Sequence, residues 1–196
     1  MSGLYFKYGT MNSSKTANLL MIKHNYEEQN ISVIVLKPSI DTRDAEKIKN
    51  GIGVVKSRVG ISSDCCILYD DSDIVKLTKN YDIIMIDESQ FLTVEQVNIL
   101  YKISFEKVVM CFGLLTDFKR ELFEGSKRII ELCDSLQEIK SICKCGRRAV
   151  VNARYKEGVL QTSGEQIQVN SLDDKSEYRA LCKQCYSAEL NNITVI

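Results

Sequence analysis

The apolar residues of this chain fall into short runs separated by longer amphipathic stretches. Runs at 5–8, 31–36, 82–87 and 107–112 predict buried strands, and a weaker run at 51–57 predicts another. Continuous runs rich in Ile and Val are typical of strands that are covered on both faces of a parallel sheet.

The stretches between these runs predict helices. Three of them lie at 16–29, 72–80 and 94–103. Residues 119–140 contain a longer amphipathic stretch, and we expect one long helix there, with one apolar face formed by Ile129, Leu132, Leu136 and Ile139. Alternating strands and helices predict an α/β fold, a parallel sheet with helices on both faces.

The pattern changes beyond residue 142. Cysteine pairs, scattered glycines and short alternating runs replace the long apolar strands. We therefore expect two domains, an α/β domain at 1–140 and a small C-terminal domain at 141–196.

The amino-acid composition argues against a nucleic-acid-binding protein and against a membrane protein. The 196 residues carry 26 Lys and Arg against 26 Asp and Glu, so the formal net charge is zero. A nucleic-acid partner is therefore not expected, because backbone-phosphate binding needs a basic excess. No apolar run approaches the roughly 20 residues that cross a bilayer, and we expect a cytoplasmic protein with no membrane partner. In that compartment we expect the eight cysteines not to form a disulfide framework.

A phosphate-binding loop follows the first predicted strand and opens the first predicted helix. It reads Gly9, Thr10, Met11, Asn12, Ser13, Ser14, Lys15, Thr16. In such a loop, backbone N–H groups surround the phosphates of ATP. Lys15 would reach the β- and γ-phosphates, and the Thr16 hydroxyl would ligate Mg²⁺. Ser14 stands where this motif has its second glycine.

Two adjacent carboxylates end the strand at 82–87. Asp87 is positioned to hold Mg²⁺, and Glu88 is a candidate for the group that accepts the proton of the attacking nucleophile. The carboxyl end of a strand is where ligands bind in open α/β sheets.

Four of the eight cysteines form two close pairs near the C-terminus. Cys143 and Cys145, with Cys182 and Cys185, offer four thiolates, the usual tetrahedral set for structural Zn²⁺. A zinc ion held by four thiolates has no open coordination position, so we expect an architectural role. Cys65, Cys66, Cys111 and Cys133 lie in apolar stretches and are expected to be buried free thiols.

Several segments together resemble one enzyme family. They are the phosphate loop with Tyr8, Lys-Pro-Ser-Ile-Asp-Thr-Arg at 37–43, Ser-Arg-Val-Gly at 57–60, Asp-Glu-Ser-Gln-Phe at 87–91, Phe-Gly-Leu-Leu-Thr-Asp-Phe-Lys-Arg-Glu-Leu-Phe at 112–123, and the cysteine pairs with Tyr186. Over nearly its whole length the chain is similar to the zinc-containing, P-loop (type II) thymidine kinases.

This resemblance implies a RecA-like core and a zinc domain that carries a lasso loop over the nucleoside. It implies ATP-dependent phosphorylation of a deoxynucleoside 5′-hydroxyl, most often thymidine to dTMP in pyrimidine salvage for DNA synthesis. It also implies a homotetramer and feedback inhibition by dTTP.

The resemblance also assigns residues. Glu88 matches the catalytic base, and Asp41 and Arg43 match residues near the phosphates and metal. We place Arg58 and Gln90 with the nucleotide as well. The expected nucleoside site comprises Met11, Leu114, Phe118, Phe123, Asn152, Val169 and Tyr178. Asn152 stands where the family usually has threonine near the base.

The sequence is also compatible with two other functions. A nucleic-acid-stimulated P-loop ATPase with a zinc ribbon is one, because the segment at 87–90 also resembles helicase motifs. A catalytically weak nucleotide-binding paralogue is the other, suggested by Ser14.

Overall fold

The computed structural model of the protein describes residues 2–40, 51–166 and 176–194. Its main sheet is built from β1 (Gly3–Tyr8), β2 (Val33–Pro38), β3 (Ile52–Lys56), β4 (Ser62–Leu68), β5 (Ile83–Ile86), β6 (Val108–Gly113) and β7 (Ser135–Glu138). The order across this sheet is β3-β4-β2-β5-β6-β1-β7. All neighbours are parallel except β3 and β4, which are antiparallel. The predicted α/β class is confirmed, with an antiparallel strand at one edge.

Helices cover both faces of this sheet. They are α1 (Lys15–Glu27), α2 (Ile74–Thr78), α3 (Val94–Ile103) and α4 (Glu124–Leu132), and α5 (Lys183–Thr194) follows near the C-terminus. The thirteen residues of α1 and the ten of α3 lie where the sequence predicts them. None of the helices in the described ranges combines the length and apolar composition that a bilayer-crossing segment needs.

Strand alternation explains why the sheet is buried on both sides. In β5, Ile84 is fully buried in a cluster with Val97 of α3, whereas Met85 is fully buried in a second cluster with Leu19 of α1. Successive side chains of a strand point to opposite faces. A continuous apolar run is therefore what two helical layers require.

The stretch 119–140 is not one helix, and that prediction is wrong. Helix α4 ends at Leu132, where Cys133 takes an extended backbone conformation, and the chain continues as β7. β7 pairs in parallel with β1, with Ser135 opposite Tyr5, and so satisfies backbone groups along that side of β1. Leu136 belongs to the helical face expected to be buried, yet it is 47% exposed. Pairing with a distant strand outweighs the local helical spacing.

Two small antiparallel sheets follow. One pairs β8 (Ser141–Ile142) with β9 (Arg148–Ala149), and the other has the order β11-β10-β12, from β10 (Val151–Lys156), β11 (Val159–Gln161) and β12 (Ser176–Leu181). Contacts tie this part to the main sheet: Thr10 hydrogen-bonds Ser141, and Arg148 pairs with Glu138. The division at residue 140 stays a prediction.

The four cysteines outside the C-terminal pairs are free thiols. Cys65 and Cys111 are buried as expected, whereas Cys66 and Cys133 are only half-buried. Burial raises the pKa of the Cys65 thiol to about 12, so this residue is protonated at neutral pH and behaves as a small apolar side chain.

Candidate active site

The phosphate loop lies between β1 and α1, at the carboxyl edge of the sheet. Gly9 is needed by close packing, because a Cβ there would lie 2.5 Å from the carbonyl oxygen of Ile139. Ser14 has φ 60° and ψ 29°, a left-handed conformation that glycine adopts without strain. Its side chain makes no capping hydrogen bond to α1.

Lys15 is held inside this loop. Its ammonium group donates to the carbonyl oxygen of Thr10 at 2.8 Å and lies 3.4 Å from the Ser13 hydroxyl, and the residue is buried. A cation placed among the N–H groups of such a loop suits a phosphate ligand.

The two predicted metal-binding side chains meet. The Thr16 hydroxyl donates to Asp87 Oδ2 at 3.0 Å, and Oδ1 of the same carboxylate lies 3.3 Å away. Thr16 lies in the first turn of α1, and Asp87 follows β5 and is buried. Hydroxyl and carboxylate oxygens are ligands that Mg²⁺ prefers, so the pair fits a divalent cation bound beside the phosphates.

Glu88 is fixed in an unusual backbone conformation next to this pair. Its φ of 51° is left-handed, which costs of order 1–3 kcal/mol for a residue other than glycine and is often seen at functional sites. Gln90 Nε2 donates to Glu88 Oε2 at 2.7 Å, and Gln90 Oε1 accepts from the Leu114 backbone N–H at 3.0 Å. The buried Gln90 amide thus connects the carboxylate to the start of the next loop.

Gly113 makes room for this amide. A Cβ at Gly113 would lie 2.7 Å from both Gln90 Oε1 and Ser89 Oγ. Any larger residue at the end of β6 would displace the side chain that holds Glu88.

A cleft of about 650 Å³ opens over these groups. This volume falls within the range of small-molecule sites, about 300–1,000 Å³. One wall is apolar and comprises Leu114, Phe118 and Phe123, with the Phe91 ring edge-on to Phe123 at 5.8 Å between centroids. The polar floor includes Ser13, Lys15, Thr16 and Glu88. An apolar wall beside the phosphate loop and the Glu88 carboxylate suits a ligand that has both a flat base and a hydroxyl group.

The two C-terminal cysteine pairs converge on one point. The Sγ atoms of Cys143, Cys145, Cys182 and Cys185 all lie within 4.8 Å of one another. Four sulfurs at the Zn–S distance of 2.3 Å around one ion would be about 3.8 Å apart, and Cys145 and Cys182 are 3.6 Å apart. The four sulfur atoms are therefore spaced to coordinate one metal ion such as Zn²⁺ tetrahedrally.

The backbone already favours the thiolate form of one ligand. The Cys185 N–H lies 3.4 Å from Cys182 Sγ, and this contact is the largest of those that lower the pKa of Cys182 to about 6. Thiolate is the form of cysteine that binds metal.

Comparison with known proteins identifies the family. The profile described as Thymidine kinase matches residues 2–186. The chain belongs to the thymidine kinase family. It is 40% identical over 200 residues to a thymidine kinase of Streptococcus gordonii, covering 98% of this chain and all of the relative. It is also 40% identical over 193 residues to a thymidine kinase of Enterobacteria phage T4, covering 94% and 95% of the two chains.

The similarity to solved structures is too low to indicate the activity of this chain. The ATPase DotB of Legionella pneumophila matches with a TM-score of 0.40 and 14% identity, covering 75% of this chain and 43% of DotB. That likeness is too distant to support a conclusion about the activity of this thymidine kinase family member.

Most of the predicted site residues come together in the cleft. Its lining includes Met11, Asn12, Ser13, Ser14, Lys15, Thr16, Arg58, Glu88, Gln90, Leu114, Phe118, Phe123, Asn152 and Tyr178. Asp87 joins them through Thr16. Asp41, Arg43 and Val169 lie outside the described residues, and their roles stay predictions.

Asp117 is a site residue that the sequence analysis missed. It is buried, lines the cleft, and its Oδ1 accepts from the backbone N–H groups of Lys119 and Glu121 at 2.8 and 2.9 Å. Its Oδ2 accepts from Gln166 Nε2 at 3.1 Å. Asp side chains often accept a hydrogen bond from the backbone N–H two residues later, so the bond to Lys119 could have been predicted from the sequence. The bond to Gln166, 49 positions away, was not.

Proposed function

We propose that this chain transfers the γ-phosphoryl group of ATP to the 5′-hydroxyl of thymidine, forming ADP and dTMP. The observation that carries the proposal is the single cleft that contains both the phosphate loop and Glu88, beside the Leu114, Phe118 and Phe123 wall. Membership in the thymidine kinase family supports the choice of nucleoside.

In the proposed mechanism the base of the nucleoside lies against the apolar wall, with Tyr178 on the side of the sugar. The 5′-oxygen attacks the γ-phosphorus while the bond to the β,γ-bridging oxygen breaks, and ADP leaves with that electron pair. Glu88 accepts the proton of the 5′-hydroxyl. Lys15 and Arg58 lie in the cleft lining, where they offset the charge on the transferred group.

Two metals belong to the proposal. Thr16 and Asp87 would hold Mg²⁺, whose chemistry is to neutralise charge on the β- and γ-phosphates. Cys143, Cys145, Cys182 and Cys185 would hold one structural Zn²⁺. Because four thiolates leave zinc no open coordination position, the ion would organise the C-terminal sheets and take no part in the reaction.

Three expectations from the family also belong here as proposals. They are a homotetramer, feedback inhibition by dTTP, and a cytoplasmic location. Light scattering after gel filtration measures the first, and dTTP titration in the kinase assay measures the second.

The test is a radiolabelled-ATP assay with thymidine, deoxyuridine, deoxycytidine, deoxyadenosine and deoxyguanosine, with ADP and nucleoside monophosphate both quantified. Thymidine should be the best acceptor. ATP hydrolysis that single-stranded DNA stimulates, without any nucleoside monophosphate, would instead favour the nucleic-acid-dependent ATPase. Nucleotide binding without turnover would favour a silent paralogue.

A further inference from the structure

The Asn152 side chain makes two hydrogen bonds to segments outside the small C-terminal sheets. It lies in β10, opposite Ala180 of β12, and is 4% exposed. Its Oδ1 accepts from the backbone N–H of Met11 at 2.8 Å, and its Nδ2 donates to the backbone carbonyl of Thr116 at 2.8 Å. The side chain therefore lies between two segments that are 105 residues apart in sequence, as the positions 11 and 116 show.

These two segments carry the two halves of the proposed reaction. Met11 belongs to the loop that would bind the phosphates of ATP. Thr116 belongs to the loop after β6, which contributes Leu114 and Phe118 to the wall of the cleft. An isolated antiparallel β-bridge between Thr116 and Leu122 joins the two sides of this second loop. The hydrogen bond from Asn152 to Thr116 therefore restrains the whole loop.

We propose that Asn152 is a positioning residue that holds the phosphate loop and the nucleoside wall at a fixed separation. The inference rests on the proposed function, because it assumes that ATP occupies one segment and a nucleoside the other. It differs from a role in reading the base: one bond from each end of the amide goes to protein backbone.

The kinetic consequence follows from the geometry of in-line transfer. Reacting atoms must approach to about 3–3.5 Å, and a displacement of about 1 Å costs on the order of 100-fold in rate. Each ligand also has expected contacts that do not involve Asn152, such as Lys15 and Thr16 for ATP and Phe118 for the nucleoside, so binding of either ligand should survive a small change in the separation. The step that suffers is transfer between them, whereas transfer of the γ-phosphoryl group to water needs no nucleoside in register.

The experiment compares Asn152→Leu and Asn152→Thr with wild type. Leucine is close in shape but forms neither hydrogen bond. Threonine suits a strand and keeps a hydroxyl, which is too short to span both partners. The control is Asn98→Leu on α3, because Asn98 also accepts a side-chain hydrogen bond, from Arg128 Nε at 2.8 Å, but is not part of the described cleft lining.

Both Asn152 variants should lose roughly 10- to 100-fold in kcat, with KM for ATP and for thymidine within about 3-fold of wild type. The ratio of dTMP to ADP formed, near one in wild type, should fall. Asn98→Leu should match wild type in all four values. Zinc content and thermal midpoint, measured on every variant, identify any that fails to fold, and Asn152→Thr then decides the question.

Two results overturn the inference while leaving the proposed function intact. One is an active wild type together with a folded Asn152 variant whose kcat and dTMP-to-ADP ratio are unchanged. The other is a change in the preference between thymidine and deoxycytidine at an unchanged ratio, which would assign Asn152 to base recognition. A wild type that phosphorylates no nucleoside refutes the proposed function and the inference with it.

Discussion

Replacing Ser14 with glycine should improve the phosphate loop. Ser14 is exposed, its φ is 60°, and its hydroxyl caps nothing on α1, so the side chain contributes little in return for its strained backbone. Asn12 is left-handed too, with φ 64°, but asparagine tolerates that region better than serine does. The strain therefore concentrates at position 14.

The size of the effect follows from two opposing terms. A left-handed residue other than glycine costs about 1–2 kcal/mol, which Ser14→Gly removes. Glycine also increases the entropy of the unfolded chain, which offsets about 0.5–1 kcal/mol of that gain. A net stabilisation of up to about 1.5 kcal/mol would raise Tm by up to roughly 6 °C in a chain of this length.

Binding of ATP should improve as well. The backbone passes close to the phosphates in such loops, and a Cβ crowds that approach. We expect the Kd for ATP to fall about 2- to 10-fold, equivalent to roughly 0.4–1.4 kcal/mol.

Calorimetric titration of Mg·ATP and thermal unfolding provide the two measurements. Ser14→Ala is the matched control, because it removes the hydroxyl but keeps the Cβ and the strained φ. It should resemble wild type or bind slightly more weakly. If Ser14→Gly binds ATP more weakly than wild type, the hydroxyl is a phosphate ligand and the strain argument is wrong.

Three further changes test the rest of the site. Glu88→Gln should bind ATP normally and lose roughly 10²- to 10⁴-fold in kcat, the range for a positioned general base, and near-normal turnover would exclude that role. Gln90→Met removes the amide that donates to Glu88 Oε2, so the Glu88 carboxylate should lose its fixed position and kcat should fall about 10-fold or more while KM for ATP stays near normal; an unchanged kcat contradicts this. Cys182→Ala should lower zinc from one per chain to almost none and raise KM for thymidine more than KM for ATP. Elemental analysis of the wild type without stoichiometric zinc would refute that proposal.

Much of the chemistry is readable along the chain. The phosphate loop needs contiguous residues between a strand and a helix, and Asp87 with Glu88 needs only the buried strand before it. The two cysteines of each pair are close in sequence. Each of these depends on neighbours in sequence, which is why order and spacing were enough to predict them.

Only the tertiary structure revealed the features that depend on contacts between residues far apart in sequence. Helical spacing at 119–140 was overridden because an edge of β1 needed hydrogen-bond partners, which β7 supplies. Gln90 was expected beside the nucleotide and lines the cleft, and the structure adds that its amide bonds Glu88 and Leu114, because strands β5 and β6 end side by side. Asn152 reaches two loops only because the fold brings β10 beside the loops that follow β1 and β6. Hydrogen bonds between residues far apart in sequence leave no periodic signal, so these positions acquire their meaning only in the folded chain.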